Sequence, residues 1–220
     1  MANPLDLQEQ EQLDDLKAFW KQYGNAITWL LTLVLLGFAG WNAWNWWQRE
    51  QATKASALYE ALDKVAQTGD AMKTAQVFDD LKERHPRTVF AEQGGLLAAK
   101  LLFDRGQPDR ARAILAWVVD NAIEDEYRSI ARLRLAGMLM DAKQYDQALK
   151  QLDGAKSPQF AALVADRRGD ILLAQGKVDD AKAAYQAAYK GLDERVEYRR
   201  LVDAKLTALG VAPAASGAAP

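Results

Sequence analysis

The apolar positions of this chain change character near Gln48. Between Gln22 and Gln48 no residue is charged, and the run AITWLLTLVLLGFA from Ala26 to Ala39 is almost wholly apolar. Extended to Trp47 the stretch is 22 residues, about 33 Å as a helix, which matches a hydrocarbon core of about 30 Å. Tyr23 and Trp29 stand at one end and Trp41, Trp44, Trp46 and Trp47 at the other, where amphipathic rings settle at membrane interfaces. Before it, Leu13, Leu16, Phe19, Trp20 and Tyr23 recur on one face of a short amphipathic helix leading to the membrane. Asp6, Glu9, Glu11, Asp14 and Asp15 make this leading segment acidic, unlike the basic start of a cleaved signal peptide, so the span is expected to be retained as an anchor.

Beyond Gln48 apolar residues return at helical spacing, interrupted by Gly69, Pro86, Gly106, Gly154, Ser157-Pro158, Gly176 and Gly191. The pattern predicts helices over 48–68, 71–85, 89–105, 109–121, 124–142, 145–152, 158–175, 178–190 and 192–209. The fold class is therefore all-α. The chain divides into an N-terminal segment 1–24, a transmembrane helix 25–47, a helical domain 48–209 and a tail 210–220. The low-complexity sequence VAPAASGAAP at the end is expected to be disordered.

The helical domain repeats itself. In ADRRGDILLAQGKVDDAKAAYQAAY, Gly169 stands where two helices of a tetratricopeptide (TPR) repeat cross closely, Gly176 ends the first helix, and Ala181, Tyr185 and Ala188 follow at spacings of four and three. Ala136, Leu139, Ala148, Leu152 and Ala155 form an earlier copy, with Lys143 and Gln144 replacing the turn glycine. Ala148 to Ala181 is 33 residues, against a usual period of 34. Ala99, Leu102, Gly106, Ala111, Leu115 and Val118 form another copy, with a longer connection around Ile123 to Glu126. Thr74, Phe78 and Leu81 mark a degenerate first copy before Pro86. This predicts a TPR-like α-solenoid of about four helical hairpins. A last helix closes it, with Arg195, Glu197, Arg199, Arg200 and Lys205 exposed as a solvating cap.

Composition narrows the function. Six of the seven tryptophans lie between Trp20 and Trp47, the formal charge is -2, and no run of five like charges appears, so nothing marks a nucleic-acid partner. Cysteine is absent, which removes disulfides, thiol nucleophiles and thiolate metal sites. The single histidine, His85, reads as a helix-end residue beside Pro86, not a metal ligand. There is no glycine-rich phosphate loop, and the carboxylate pair Asp179 and Asp180 falls beside the predicted turn at Gly176. No catalytic centre, cofactor, metal or small-molecule substrate is expected.

Solenoids of this kind bind through the concave face built from the first helix of each repeat. On the repeat frame Ile130, Leu133, Met140, Leu163, Asp166 and Leu173 point inward and form the candidate partner groove. Gly169, Ala181 and Tyr185 read as packing residues.

An acidic N-terminal segment, one tryptophan-rich span, and then LRLAGMLMDAKQYDQALKQLD and VADRRGDILLAQGKVDDAKAAYQAAY resemble, in that order, the YfgM family of ancillary subunits of the bacterial SecYEG translocon. The resemblance covers about Leu13 to Leu209. It implies a single-pass inner-membrane protein with a cytoplasmic N-terminus and a periplasmic TPR-like domain. It further implies work with SecYEG and the membrane-anchored chaperone PpiD on emerging secretory proteins. Lys17 and Lys21 on one flank of the span are balanced by Arg49 and Lys54 on the other, so charge alone leaves orientation open. A membrane-tethered TPR scaffold for another envelope complex is the alternative reading.

Overall fold

A computed structural model describes residues 7–211, with side chains from Glu11 onward. The described residues form nine α-helices: α1 (Leu7–Gln67), α2 (Ala71–Arg84), α3 (Val89–Asp104), α4 (Pro108–Asn121), α5 (Asp125–Asp141), α6 (Tyr145–Asp153), α7 (Ala161–Ala174), α8 (Val178–Gly191) and α9 (Tyr198–Ala208). No strand occurs among the described residues. The chain divides into two compact units between Glu50 and Gln51. From residue 212 onward the expected disordered tail lies outside the described residues.

The first unit carries the apolar part of α1, which is long and apolar enough to cross a bilayer. Its side chains face outward: Leu30, Leu33, Leu36 and Phe38 are all exposed. Thr28 and Thr32 turn their hydroxyls back to the Gly24 and Thr28 carbonyls, both at 2.8 Å, so these polar groups are satisfied within the helix. Phe19 packs on Tyr23, and Trp44 on Trp47. The amphipathic leader, the apolar stretch and the helix expected from Gln48 all fall within the bounds of α1, which contain no proline.

The second unit is a stack of helix pairs. The end of α1 with α2, then α3 with α4, α5 with α6 and α7 with α8 make four pairs, and α9 closes the series. Buried side chains form successive clusters along the stack. Ala55 and Leu62 of α1 meet Phe78, Leu81, Ala91 and Ala98. Leu102, Leu115, Val118 and Leu135 fill the next layer, Ala136, Leu152 and Ile171 the third, and Tyr185, Val202 and Leu206 the last.

Local chemistry sets where helices start and stop. Asp70 caps α2 through the Lys73 N–H at 3.0 Å, and Thr88 caps α3 through the Ala91 N–H. The turns after α3, α5, α7 and α9 share one device. A residue of positive φ follows the helix, and two N–H groups reach back to the last turn: Gly106 to Phe103 and Gln107 to Leu102 after α3, Gly176 to Leu173 and Lys177 to Leu172 after α7. After α5 the same place is held by Lys143, with φ 59°.

Two expectations at the C-terminus change. The last helix begins at Tyr198, not Leu192, because Leu192 is extended and the Asp193 carboxylate accepts the Arg195 N–H at 2.9 Å, turning the chain before the helix can start. Lys205 and Arg199 are not solvating residues. Lys205 is ion-paired against α7, and Arg199 stacks its guanidinium 4.2 Å from the Tyr189 ring centroid. Pro158 to Phe160 form a single 3₁₀ turn ahead of α7.

At the α7–α8 crossing, a Cβ on Gly169 would lie 2.5 Å from the Tyr185 ring. Gly169→Leu should therefore destabilise the solenoid by about 1 to 3 kcal/mol or more, read as a fall in the midpoint of chemical denaturation. An unchanged midpoint would contradict this packing. Lys143→Gly should act the other way. Removing a side chain from a left-handed backbone position should stabilise by about 0.5 to 1 kcal/mol in the same assay.

Candidate interaction groove

The first helices of successive pairs, α3, α5 and α7, lie side by side and leave a groove of about 390 Å³ between them. Ala99, Lys100 and Phe103 of α3 form one wall, with Leu115 of α4 beneath. Leu133, Arg134, Gly137, Met138 and Asp141 of α5 form the floor, and Arg167 of α7 the far wall. Positions 134, 137, 138 and 141 follow the spacing of one helical face, so a single stripe of α5 lines the groove. Phe103 is 43% exposed, a large aromatic face with little covering it.

The charges of the groove are unequal. Lys100 pairs with Asp104 at 2.5 Å, and Arg167 lies 3.8 Å from Asp170. The Arg134 guanidinium donates to the Leu96 carbonyl of α3 at 2.7 Å. Desolvation between α3 and α5 holds the Arg134 pKa below the usual arginine value.

Beyond the α7 wall, a buried polar network ties α9 to the stack. Asp166 is 2% exposed and accepts the Tyr198 hydroxyl at 2.6 Å. The Lys205 ammonium reaches Asp166 at 2.8 Å and Asp170 at 2.7 Å, and the Tyr185 hydroxyl donates to Asp170 at 2.8 Å. Burial, and the carboxylates that accept their protons, push both tyrosine hydroxyls above the usual phenol range. Lys205 also sits over the Tyr185 ring, 5.2 Å from its centroid.

Of the residues expected to face a partner, Leu133 lines the groove. Leu133 and Met140 pack, half buried, against the third core layer, and Ile130 against the second. Leu163 is half buried on α7, and Leu173 is 38% exposed at the end of that helix. Asp166 is consumed by Tyr198 and Lys205 and presents nothing to solvent. Phe103, Arg134, Gly137, Met138, Asp141 and Arg167 also line the groove and were not among the residues the repeat frame pointed inward. The stripe spacing on α5 was legible, but which stripe faces α3 and α7 depends on how the pairs stack. Groups of acidic or histidine side chains able to hold a metal are not found among the described residues.

The sequence profile of the tetratricopeptide repeat-like domain matches residues 17–211. The chain is 31% identical over 204 residues to the ancillary SecYEG translocon subunit of Neisseria gonorrhoeae, covering 92% of this chain and 98% of that protein. It is 29% identical to the proteins of the same name from Escherichia coli and Haemophilus influenzae, each alignment covering 83% of this chain and 87% and 89% of theirs. Among solved structures, nearly identical TPR-like repeats from Podosopora anserina superpose with a TM-score of 0.54 at 15% identity, over 72% of this chain and 85% of that one, a likeness of fold.

Lys205→Met would leave the Asp166 and Asp170 carboxylates facing each other without their shared cation. Stability should fall by about 2 to 3 kcal/mol, and the amides of α9 should exchange with solvent faster than those of α3 and α4. Uniform exchange across the solenoid would show that the network does not hold α9.

Proposed function

The chain belongs to the tetratricopeptide repeat-like family that includes the ancillary SecYEG translocon subunits, and on that premise we propose that it is a membrane-anchored adaptor of the translocon. The supporting observation is the match to the Neisseria gonorrhoeae protein, which runs through the apolar helix and the solenoid alike. In this reading residues 25–47 span the bacterial inner membrane once, residues 1–24 are cytoplasmic, and the solenoid 48–209 works in the periplasm. The solenoid assists emerging secretory proteins together with a PpiD-like chaperone. The span tethers the solenoid near the translocon and raises the local concentration of its interaction surface without itself making every contact. Leu133 and the α5 stripe offer the recognition surface, with Ile130, Met140, Leu163 and Leu173 as further candidate contacts.

The test has two arms. Protease added to intact spheroplasts should digest the region after Gln48 and spare the N-terminal segment. The full-length protein, solubilised with mild detergent, should co-purify with SecYEG. A solenoid protected until the spheroplasts are lysed would overturn the proposed topology. Co-purification with a different envelope complex, and not with SecYEG, would overturn the translocon assignment.

A further inference from the structure

Glycines inside the solenoid helices are of two kinds. At Gly94, Gly95 and Gly169 an added Cβ would come within 2.9 Å of Leu81, 2.5 Å of Val118 and 2.5 Å of Tyr185, so the core requires each of them. Gly137, in the middle of α5, is different. Its Cβ would meet only the Arg167 guanidinium, at 3.7 Å, which is ordinary contact. Glycine in a helix interior is less stable than alanine, and no packing here demands it. What Gly137 contributes is depth, since it lines the groove together with Leu133, Met138 and the exposed Phe103.

Arg134 is the second feature. A guanidinium carries five N–H donors, and the bond to the Leu96 carbonyl uses one nitrogen. Lys100 and Arg167 have carboxylate neighbours, whereas Arg134 has none within ion-pair distance among the described residues. Arg134 is exposed, with guanidinium donors left over from the Leu96 bond, beside the apolar lining of the groove, so a partner's carboxylate can take them in charge-assisted hydrogen bonds. Asp141 stands two helical turns along the same stripe, about 10 Å away. A second negative charge is therefore disfavoured at that end, which argues against a polyanion such as nucleic acid or an anionic lipid surface. In an extended segment, 10 Å corresponds to about three residues.

We propose that the groove holds an extended polypeptide segment, one Asp or Glu carboxylate seated on Arg134 and the following apolar side chains lying over Gly137 against Phe103, Leu133 and Met138. This rests on the adaptor reading and gives it a ligand chemistry. Selection is for an acidic residue leading a short apolar run, and Gly137 leaves room for the apolar side chains.

The experiment uses the full-length protein in detergent micelles and a fluorescein-labelled peptide of about ten residues, with one Glu followed by Leu, Val and Phe, read by fluorescence anisotropy. Versions with Gln or Lys in place of Glu serve as comparators. The Glu peptide should bind about tenfold or more tightly than the Gln peptide, as expected for loss of a charge-assisted hydrogen bond, and should weaken as salt rises. Arg134→Gln should erase the difference between Glu and Gln peptides. Gly137→Leu should keep the circular dichroism spectrum and melting temperature while abolishing binding of all three peptides. Equal binding of the Glu and Gln peptides overturns the proposal. So does discrimination that persists in Arg134→Gln, or a folded Gly137→Leu protein with undiminished affinity. Co-purification with SecYEG is measured on the same preparations. Wild-type protein that retains SecYEG but does not discriminate overturns the groove assignment alone. Protein that discriminates without retaining SecYEG supports the groove and overturns the translocon reading.

Discussion

How closely two helices can approach governs this solenoid, and the approach is set by small residues meeting large ones. Gly169 lets the Tyr185 ring lie against the α7 backbone, Gly95 admits Val118 and Phe78, and Gly94 admits Leu81 and Leu62. At each crossing the large side chain fills space that any Cβ would occupy, so the pair buries a side chain that neither helix could bury alone. Each layer then rests on the next. Buried clusters succeed one another from Ala55 to Leu206, and every pair depends on its neighbour for one face of its core.

Such a stack has two ends that must be closed, and polar chemistry helps to close the C-terminal one. α9 buries Val202 and Leu206, while its orientation is held by Tyr198 and Lys205 on the carboxylates of α7. Asp170 accepts from both Tyr185 and Lys205, so the tyrosine that fills the α7–α8 crossing is also part of the cap. Within the stack a second buried carboxylate has a similar role. Glu92 is fully buried and accepts the Ile123 N–H at 2.7 Å, fixing the longer connection between α4 and α5. Burial pushes its pKa above the usual carboxylate range. Its charged form is therefore disfavoured in the fold, and its contribution to stability declines as pH rises from its ordinary value through the raised one.

The groove is the region where this logic relaxes. Gly137 is the counterpart of Asp170, one repeat of 33 residues earlier, a place where the helix crossing demands no glycine, and no aromatic ring presses on it. A position that could carry a side chain is left without one, next to a guanidinium without a carboxylate partner and a half-exposed phenylalanine. Core packing accounts for none of the three. In the proposed role of a membrane-anchored adaptor such a surface would be useful, because tethering lets a weak and sequence-tolerant contact act at high local concentration.

The long apolar helix, the repeat frame and the packing role of Gly169, Ala181 and Tyr185 were legible in the sequence, because each rests on local spacing: an uncharged run of membrane length, and small and large residues at helical intervals. Helix stops at Gly106 and Gly176 were legible for the same reason, since a left-handed residue after a helix is a local requirement. Two things were decided only by tertiary structure. Asp166 lay on the inward stripe of α7, but α9 folds back over it, and its partners Tyr198 and Lys205 are more than thirty positions away. The groove-lining stripe of α5 emerged only once α3 and α7 were set beside it. Periodicity shows which residues share a face of one helix, but the rotation and stacking of neighbouring helices determine which face is left open.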